Sequence, residues 1–150
     1  MIRETGMSVR MGLLMVAVLG LAAAPALAQS CGSTPIPPAV PSVADMKQKA
    51  PADAAASKHD AFVEIRNWQA DLKTYRQCIT NVGNSDKRQI AGLDPKKDAD
   101  KIKRLTDEAA SMNHEYDQSV DAEERVANDF HAIQTAYCAR ADVDKSSCPK

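Results

Sequence analysis

The sequence predicts an all-α fold: an antiparallel, coiled-coil-like two-helix hairpin with a Pro-rich N-terminal arm and a short packing helix. Two apolar seams predict it, each stepping alternately by four and three residues, one over 61–82 and one over 102–137. Composition agrees. Aromatic residues make up 4% of the chain and glycines number only six, which disfavours a protein of strands and tight turns.

The order of elements begins with residues 1–28, which read as a secretory signal. Arg3 and Arg10 give a positive start, Gly12 to Ala24 an apolar run, and Pro25 a break before Ala26-Leu27-Ala28, the small-x-small pattern after which a signal peptidase cuts. The apolar run is shorter than the ~20 residues of a membrane-spanning helix, and no second apolar run follows, so no transmembrane segment is expected after cleavage. Cleavage after Ala28 makes the expected location periplasmic or secreted. A lipid-anchored variant through Cys31 is the alternative, but Ala28 and Gln29 stand where a lipidation site wants leucine and a small residue.

Without residues 1–28 the chain keeps 122 residues, with 17 Lys+Arg against 19 Asp+Glu. A net charge of −2 is too balanced to require nucleic acid as a partner. Ala, Asp and Lys dominate this part, and the abundance of Ala and Lys favours helices. All four cysteines (Cys31, Cys78, Cys138 and Cys148) fall within it, and an even count in an exported protein points to two disulfides. No pair is spaced C-x-x-C, and no histidine stands at ligand spacing from a cysteine, so redox, haem and zinc motifs are missing from the pattern.

Residues 29–56 read as the arm and a short helix, and 57–150 as the hairpin domain with a C-terminal disulfide loop. Pro35, Pro37, Pro38 and Pro41 keep 29–42 extended. Ser42 with Asp45 gives a capping box for a helix over about 43–50, stopped by Pro51. Ser57 with Asp60 repeats that signal, although Ala52 to Ala56 could already be helical.

The first long helix carries Ala61, Ile65, Trp68, Leu72, Tyr75, Ile79 and Val82 on its seam, and Gly83-Asn84 is expected to end it. Residues 85–93 connect. Asp94 as cap and Pro95 in the first turn then start a helix running to about 139. Its seam is Ile102, Leu105, Ala109, Met112, Tyr116, Ser119, Glu123, Val126, Phe130, Ile133 and Tyr137, polar only at Ser119 and Glu123. Pairs Asp100–Arg104, Arg104–Glu108 and Asp121–Arg125 at i,i+4 add weak support.

A short connection makes the helices antiparallel neighbours. The predicted register sets Val82 beside Ile102, Leu72 beside Met112 and Trp68 beside Tyr116. Helix two then overhangs helix one by ~20 Å, at ~1.5 Å per residue, and the short helix covers Phe130, Ile133 and Tyr137. In such a hairpin Cys78 and Cys138 lie ~50 Å apart, far beyond the ~7 Å a disulfide tolerates between Cα atoms. Cys148 follows Cys138 too closely to reach Cys78, whereas the arm can carry Cys31 there. The expected bonds are Cys31–Cys78 and Cys138–Cys148. The arm then lies along the hairpin and offers Ile36, Val40 and Val43 to Phe62 and Val63.

Candidates for chemistry are few. His59, His114 and His131 fall off the seam at different heights and read as solvated. Glu123, an acid on an apolar seam, is either a buried functional carboxylate or a residue at a wet break beside Ser119. Residues 86–104 hold Lys87, Arg88, Lys96, Lys97, Lys101, Lys103 and Arg104 against four acids, whereas 105–130 hold eight acids against Arg125 alone. The seven cations form a basic tip suited to an anionic lipid or acidic envelope surface, or else an ordinary solvated hairpin end. The acidic stretch could attract a cationic partner or support head-to-tail pairing. No phosphate loop, nucleophile elbow, H-E-x-x-H or calcium loop occurs, and no cofactor is implied.

An early cysteine before a Pro-rich arm (Cys31, Pro35, Pro37, Pro38, Pro41) and a helix reading Tyr75-Arg76-Gln77-Cys78-Ile79 complete the pattern. In this order of features the chain resembles small uncharacterised exported α-helical proteins of Gram-negative bacteria, a resemblance that implies a helical fold and no activity. It lacks the paired L-T-x-x-Q motifs of Spy-like periplasmic chaperones. The expected function is therefore a non-catalytic periplasmic interaction protein whose partner is another envelope protein or itself. The alternatives are a chaperone-like or inhibitor-like binder of envelope proteins and a membrane-associated lipoprotein.

Overall fold

A computed structural model describes residues 31–149. The signal read in 1–28 lies outside the described residues, as do Gln29, Ser30 and Lys150. The elements are α1 (Val43–Gln48), α2 (Pro51–Ala91), α3 (Ala99–Ala139) and a 3-10 turn at Lys145–Ser147, with no strand among the described residues. Helices α2 and α3 pack along their lengths as an antiparallel hairpin, and α1 packs on α3. No helix among the described residues is long and apolar enough to cross a membrane.

Local chemistry fixes α1. The Ser42 hydroxyl accepts from Asp45 N (3.0 Å) while the Asp45 carboxylate accepts from Ser42 N (3.1 Å), a reciprocal capping box. Pro51 does more than stop this helix. It occupies the first turn of α2, where its missing N–H costs nothing, so α2 begins at residue 51 and the expected boundary at 56/57 falls inside it.

Both long helices have 41 residues, and the seam read in α2 is buried at every position. That seam extends two steps further at its start, through Lys58 and Ala54, and one at its end, to Asp86. Three expectations need correction. Gly83-Asn84 does not end α2, because a C-terminal glycine cap of this kind requires a left-handed backbone, and among the described residues the glycine that has one is Gly32 (φ 74°). The helix runs on to Ala91 and stops at Gly92, three residues before Pro95.

Asp94 does not cap α3 itself. Its carboxylate accepts from Lys96 N (2.8 Å) and Lys97 N (3.1 Å), closing a separate turn, and Asp98 (φ −112°, ψ 21°) is the N-cap residue, its carbonyl accepting from Ile102 N (2.9 Å). The register moves with these boundaries. Trp68 packs with Val126 rather than Tyr116, the Phe62 and Phe130 ring centroids are 6.1 Å apart, and Gln69 reaches Glu123 at 3.0 Å. The eight extra residues of α2 shift the pairing by ~12 Å, at ~1.5 Å per residue, and remove the expected overhang.

The core gathers near the open end of the hairpin. Met46, Ala54, Ala61, Ile133 and Tyr137 form one cluster, with Phe130 against it, so α1 does cover the end of α3. Ile65, Trp68, Leu72 and Val126 form the next, and Val40 packs against both. The arm runs antiparallel to α2. Cys31 is bonded to Cys78, Thr34 donates to the Tyr75 hydroxyl (3.1 Å), and the Trp68 indole N–H donates to the Pro35 carbonyl (3.1 Å). The ~10 steps from Cys31 to Pro41 at ~3.1 Å match the ~21 helical residues between Ser57 and Cys78 at ~1.5 Å, an extended arm laid flat on its helix. Of the three apolar residues offered by the arm only Val40 packs, and it does so against the buried seam clusters, while Phe62 and Val63 stay exposed. Ile36 is 88% exposed and Val43 sits at the exposed start of α1.

Candidate interaction surface

Polar side chains lock the open end. The second disulfide, Cys138–Cys148, folds the C-terminus back over it. Arg140 donates to the carbonyls of Met46 (2.7 Å) and Lys49 (2.9 Å), capping α1 from the far end of the chain, and is held by Asp142 at 2.8 Å. The Lys145 ammonium donates to the carbonyls of Cys138 and Arg140, so the C-terminal carbonyls of α3 are served as well. Lys58, a buried cation on the seam, lies 4.1 Å over the Tyr137 ring and donates to the Ser147 hydroxyl (2.8 Å). Burial pushes its pKa below the usual lysine range, with Asp144 opposing.

Midway along the hairpin a polar crossbar replaces the apolar core. Glu123 pairs with Arg76 at 2.5 Å and accepts from Gln69. Arg76 Nε donates to Ser119 Oγ (2.7 Å), and Ser119 donates to the Tyr116 carbonyl (2.6 Å). The guanidinium also lies 5.7 Å from the Tyr116 ring centroid. The two polar seam residues of α3 are thus joined to α2 by one arginine, and Ser119 is fully buried. Glu123 is neither a lone buried acid nor a frayed position. It is one half of a bridge that fits only one register, because a shift of one turn would strand its charge. Beside it the Tyr75 hydroxyl donates to Glu115, and burial followed by that bond raises the tyrosine pKa above its ordinary 10.0.

The seven cations of the expected tip are all exposed at the far end. Lys87 and Arg88 lie on the last turns of α2, Lys96 and Lys97 in the connecting turn, and Lys101, Lys103 and Arg104 on the first turns of α3. Two are partly neutralised, Lys103 by Asp107 (2.6 Å) and Arg104 by Glu108 (3.8 Å). Arg104 therefore turns toward Glu108 and not Asp100, and no ion pair joins Asp121 to Arg125 among the described residues. Four local acids, Asp86, Asp94, Asp98 and Asp100, leave residues 86–104 with a net charge of +3. Asp94 and Asp98 are engaged with backbone N–H groups of the turn, and Asp86 is buried.

Asp86 was missed because the helix was read as ending before it, yet one more four-residue step from Val82 lands on it. One of its oxygens accepts from Gln89 (3.3 Å) and the other is buried without a partner.

His59, His114 and His131 are exposed, and His114 contacts Gln118 at 2.9 Å. Among the described residues no three or more His, Cys, Asp or Glu side chains converge as a metal site. The concavities are shallow. The clearest lies between the helices beside Gly83, Tyr116 and Met112, and continues past Thr80 toward Lys73 and Arg76. This chemistry can hold partners by charge and shape. Comparison with protein-family models, curated proteins and solved structures finds no match.

Proposed function

We propose that the protein is a non-catalytic helical interaction module of the bacterial envelope, presenting its cationic tip to an acidic face of another envelope protein. The observation that carries this reading is the division of the molecule. Both disulfides, the arm, α1 and the C-terminal turn brace the hairpin as far as Cys78, and beyond it a bare pair of helices ends in seven exposed cations. A rod held firmly at its base and charged at its end suits recognition, because exposed like charges steer an anionic partner from solution. A bilayer is the weaker fit, since the exposed large apolar residues (Ile36, Val43, Phe62, Val63, Tyr116 and Val120) all lie away from the tip and none would anchor it.

Two disulfides and the absence of a membrane-length helix among the described residues support an oxidising compartment outside the cytoplasm. The bond to Cys78 occupies the sulfur that a lipid thioether on Cys31 would use, which supports the unlipidated form.

A photoreactive residue at Lys97 in the exported protein tests the reading. It should cross-link to an acidic envelope protein in cells, and Lys96→Glu with Lys101→Glu should abolish the product. Cross-links that arise only from positions on α1, or a tip that binds phosphatidylglycerol vesicles and no protein, would contradict it.

A further inference from the structure

One flank of the hairpin is covered by the arm, and the opposite flank is open. On that open flank α2 shows a second stripe with the same alternation of four and three: Phe62, Arg66, Gln69, Lys73, Arg76, Thr80, Gly83 and Lys87. Lys73, Arg76, Thr80, Gly83 and Lys87 line the interhelical groove, which places the stripe. It carries four cations and no carboxylate. The facing stripe of α3 passes through Asn113, which lines the same groove, then Asp117, Val120 and Glu124, and carries no cation there. The flank also exposes apolar side chains on either side of the polar crossbar, with Phe62 48%, Val120 41% and Tyr116 40% exposed. Half of the exposed large apolar residues among the described residues are therefore on this flank.

We infer that this flank is the interface of a homodimer in which two hairpins stack face to face into a four-helix bundle. The two-fold axis runs parallel to the helices and lays α2 of each copy on α3 of the other. Rotation about such an axis leaves every residue at its own height, so the intrachain register fixes what meets what. Phe62 is level with Phe130, Gln69 with Glu123 and Ile79 with Met112. By the same count Lys73 is level with the interval from Asp117 to Asp121, and Arg66 is level with Val126, about 3 Å along the axis from Glu124 at ~1.5 Å per residue. Lys73 and Arg66 thus meet acids of the second copy, twice over by symmetry, while Arg76 stays bridged to Glu123 of its own chain and Lys87 lies beyond the acidic interval. An axis across the helices would instead lay α2 on α2 and oppose the two cationic stripes. The exposed apolar side chains of the flank supply adhesive contacts, and the charged edges select the pairing.

The interface lies on the flank rather than the tip, so it stands or falls apart from the proposed envelope partner. Light scattering of the disulfide-intact exported protein should give twice the chain mass at ~100 µM. Lys73→Glu alone should weaken the dimer at least ~10-fold, as should Asp117→Lys with Asp121→Lys. Mixing these two variants should restore a dimer containing one copy of each, because both reversed pairs then attract. Lys96→Glu with Lys101→Glu, at the tip, should leave the mass unchanged. All substituted side chains are exposed, so far-UV circular dichroism should be unaltered. A monomeric mass at ~1 mM, a dimer indifferent to Lys73→Glu, or a mixture no tighter than its parts would overturn the inference.

Discussion

The two halves of this hairpin share one heptad pattern and differ in everything added to it. Toward the open end, two-helix packing is supplemented by an extended arm, a short helix, a folded-back terminus and two disulfides, around Met46, Leu72, Trp68, Val126 and Ile133. Beyond Cys78 nothing is added. The buried side chains there are Ile79, Val82, Leu105, Ala109 and the charged Asp86, a small core for the span it must hold. A pair of helices buries little surface alone, so stability resides where a third element covers the seam. The bare half keeps its helices by continuation from the braced half. Uneven bracing of this kind leaves local opening cheapest at the tip.

Several substitutions sharpen or break this contrast. The largest effect is expected from the staples. Cys31→Ser with Cys78→Ser should lower unfolding free energy by about 4 kcal/mol and Cys138→Ser with Cys148→Ser by about 3 kcal/mol, following the loop lengths closed, as read by urea titration. The first pair should also red-shift Trp68 fluorescence, since the arm that covers the indole is released. In the bare half the most informative change is stabilising. Asp86→Leu replaces a buried carboxylate with one orphaned oxygen by a seam-compatible side chain, and should raise stability by about 2 kcal/mol. A loss instead would mean that Asp86 holds a partner.

Gly83→Ala comes next, at about 1 kcal/mol of added stability, because a Cβ there meets nothing within 4 Å and the helix loses its most flexible residue. The smallest effect is acidic. Hydrogen bonds from Ser42, Arg140 and Ser146 hold Asp45, Asp142 and Asp144 below the ordinary 3.8. A lowered folded pKa means stability that is complete above the unfolded value and lost as pH falls through the folded one. All three lie in the braced half, so below pH ~3.8 its caps should loosen. Asp142→Asn should flatten that part of a pH–stability curve followed by circular dichroism.

The seams were legible because periodicity averages over many residues. Ala61 to Val82 needed no structure to place them, and the cysteine pairing followed from helix length and chain reach. Local punctuation was less legible. Gly83-Asn84 looks like a stop, and only the continued seam at Asp86 and the later Gly92 with Pro95 show that it is not. That single misreading displaced the register and hid Asp86.

The crossbar was invisible for a different reason. Arg76 and Gln69 lie one position off the seam, and a guanidinium long enough to reach Ser119 and Glu123 has no periodic signature. The Arg140 and Lys145 caps join residues distant in sequence, so tertiary contact alone reveals them. The tip cations were found by counting charge. Their freedom from Asp94, Asp98 and Asp86 was not, because it depends on where those carboxylates point.

Native-state hydrogen exchange, resolved by residue in the oxidised protein, tests the contrast most directly. Amides of α2 between Ile65 and Leu72, and of α3 between Val126 and Ile133, should open only with global unfolding. Those from Val82 to Ala91 and from Ala99 to Leu105 should exchange through local openings of clearly lower free energy. Equal protection along both helices would contradict the account, and protection greatest at the tip would reverse it.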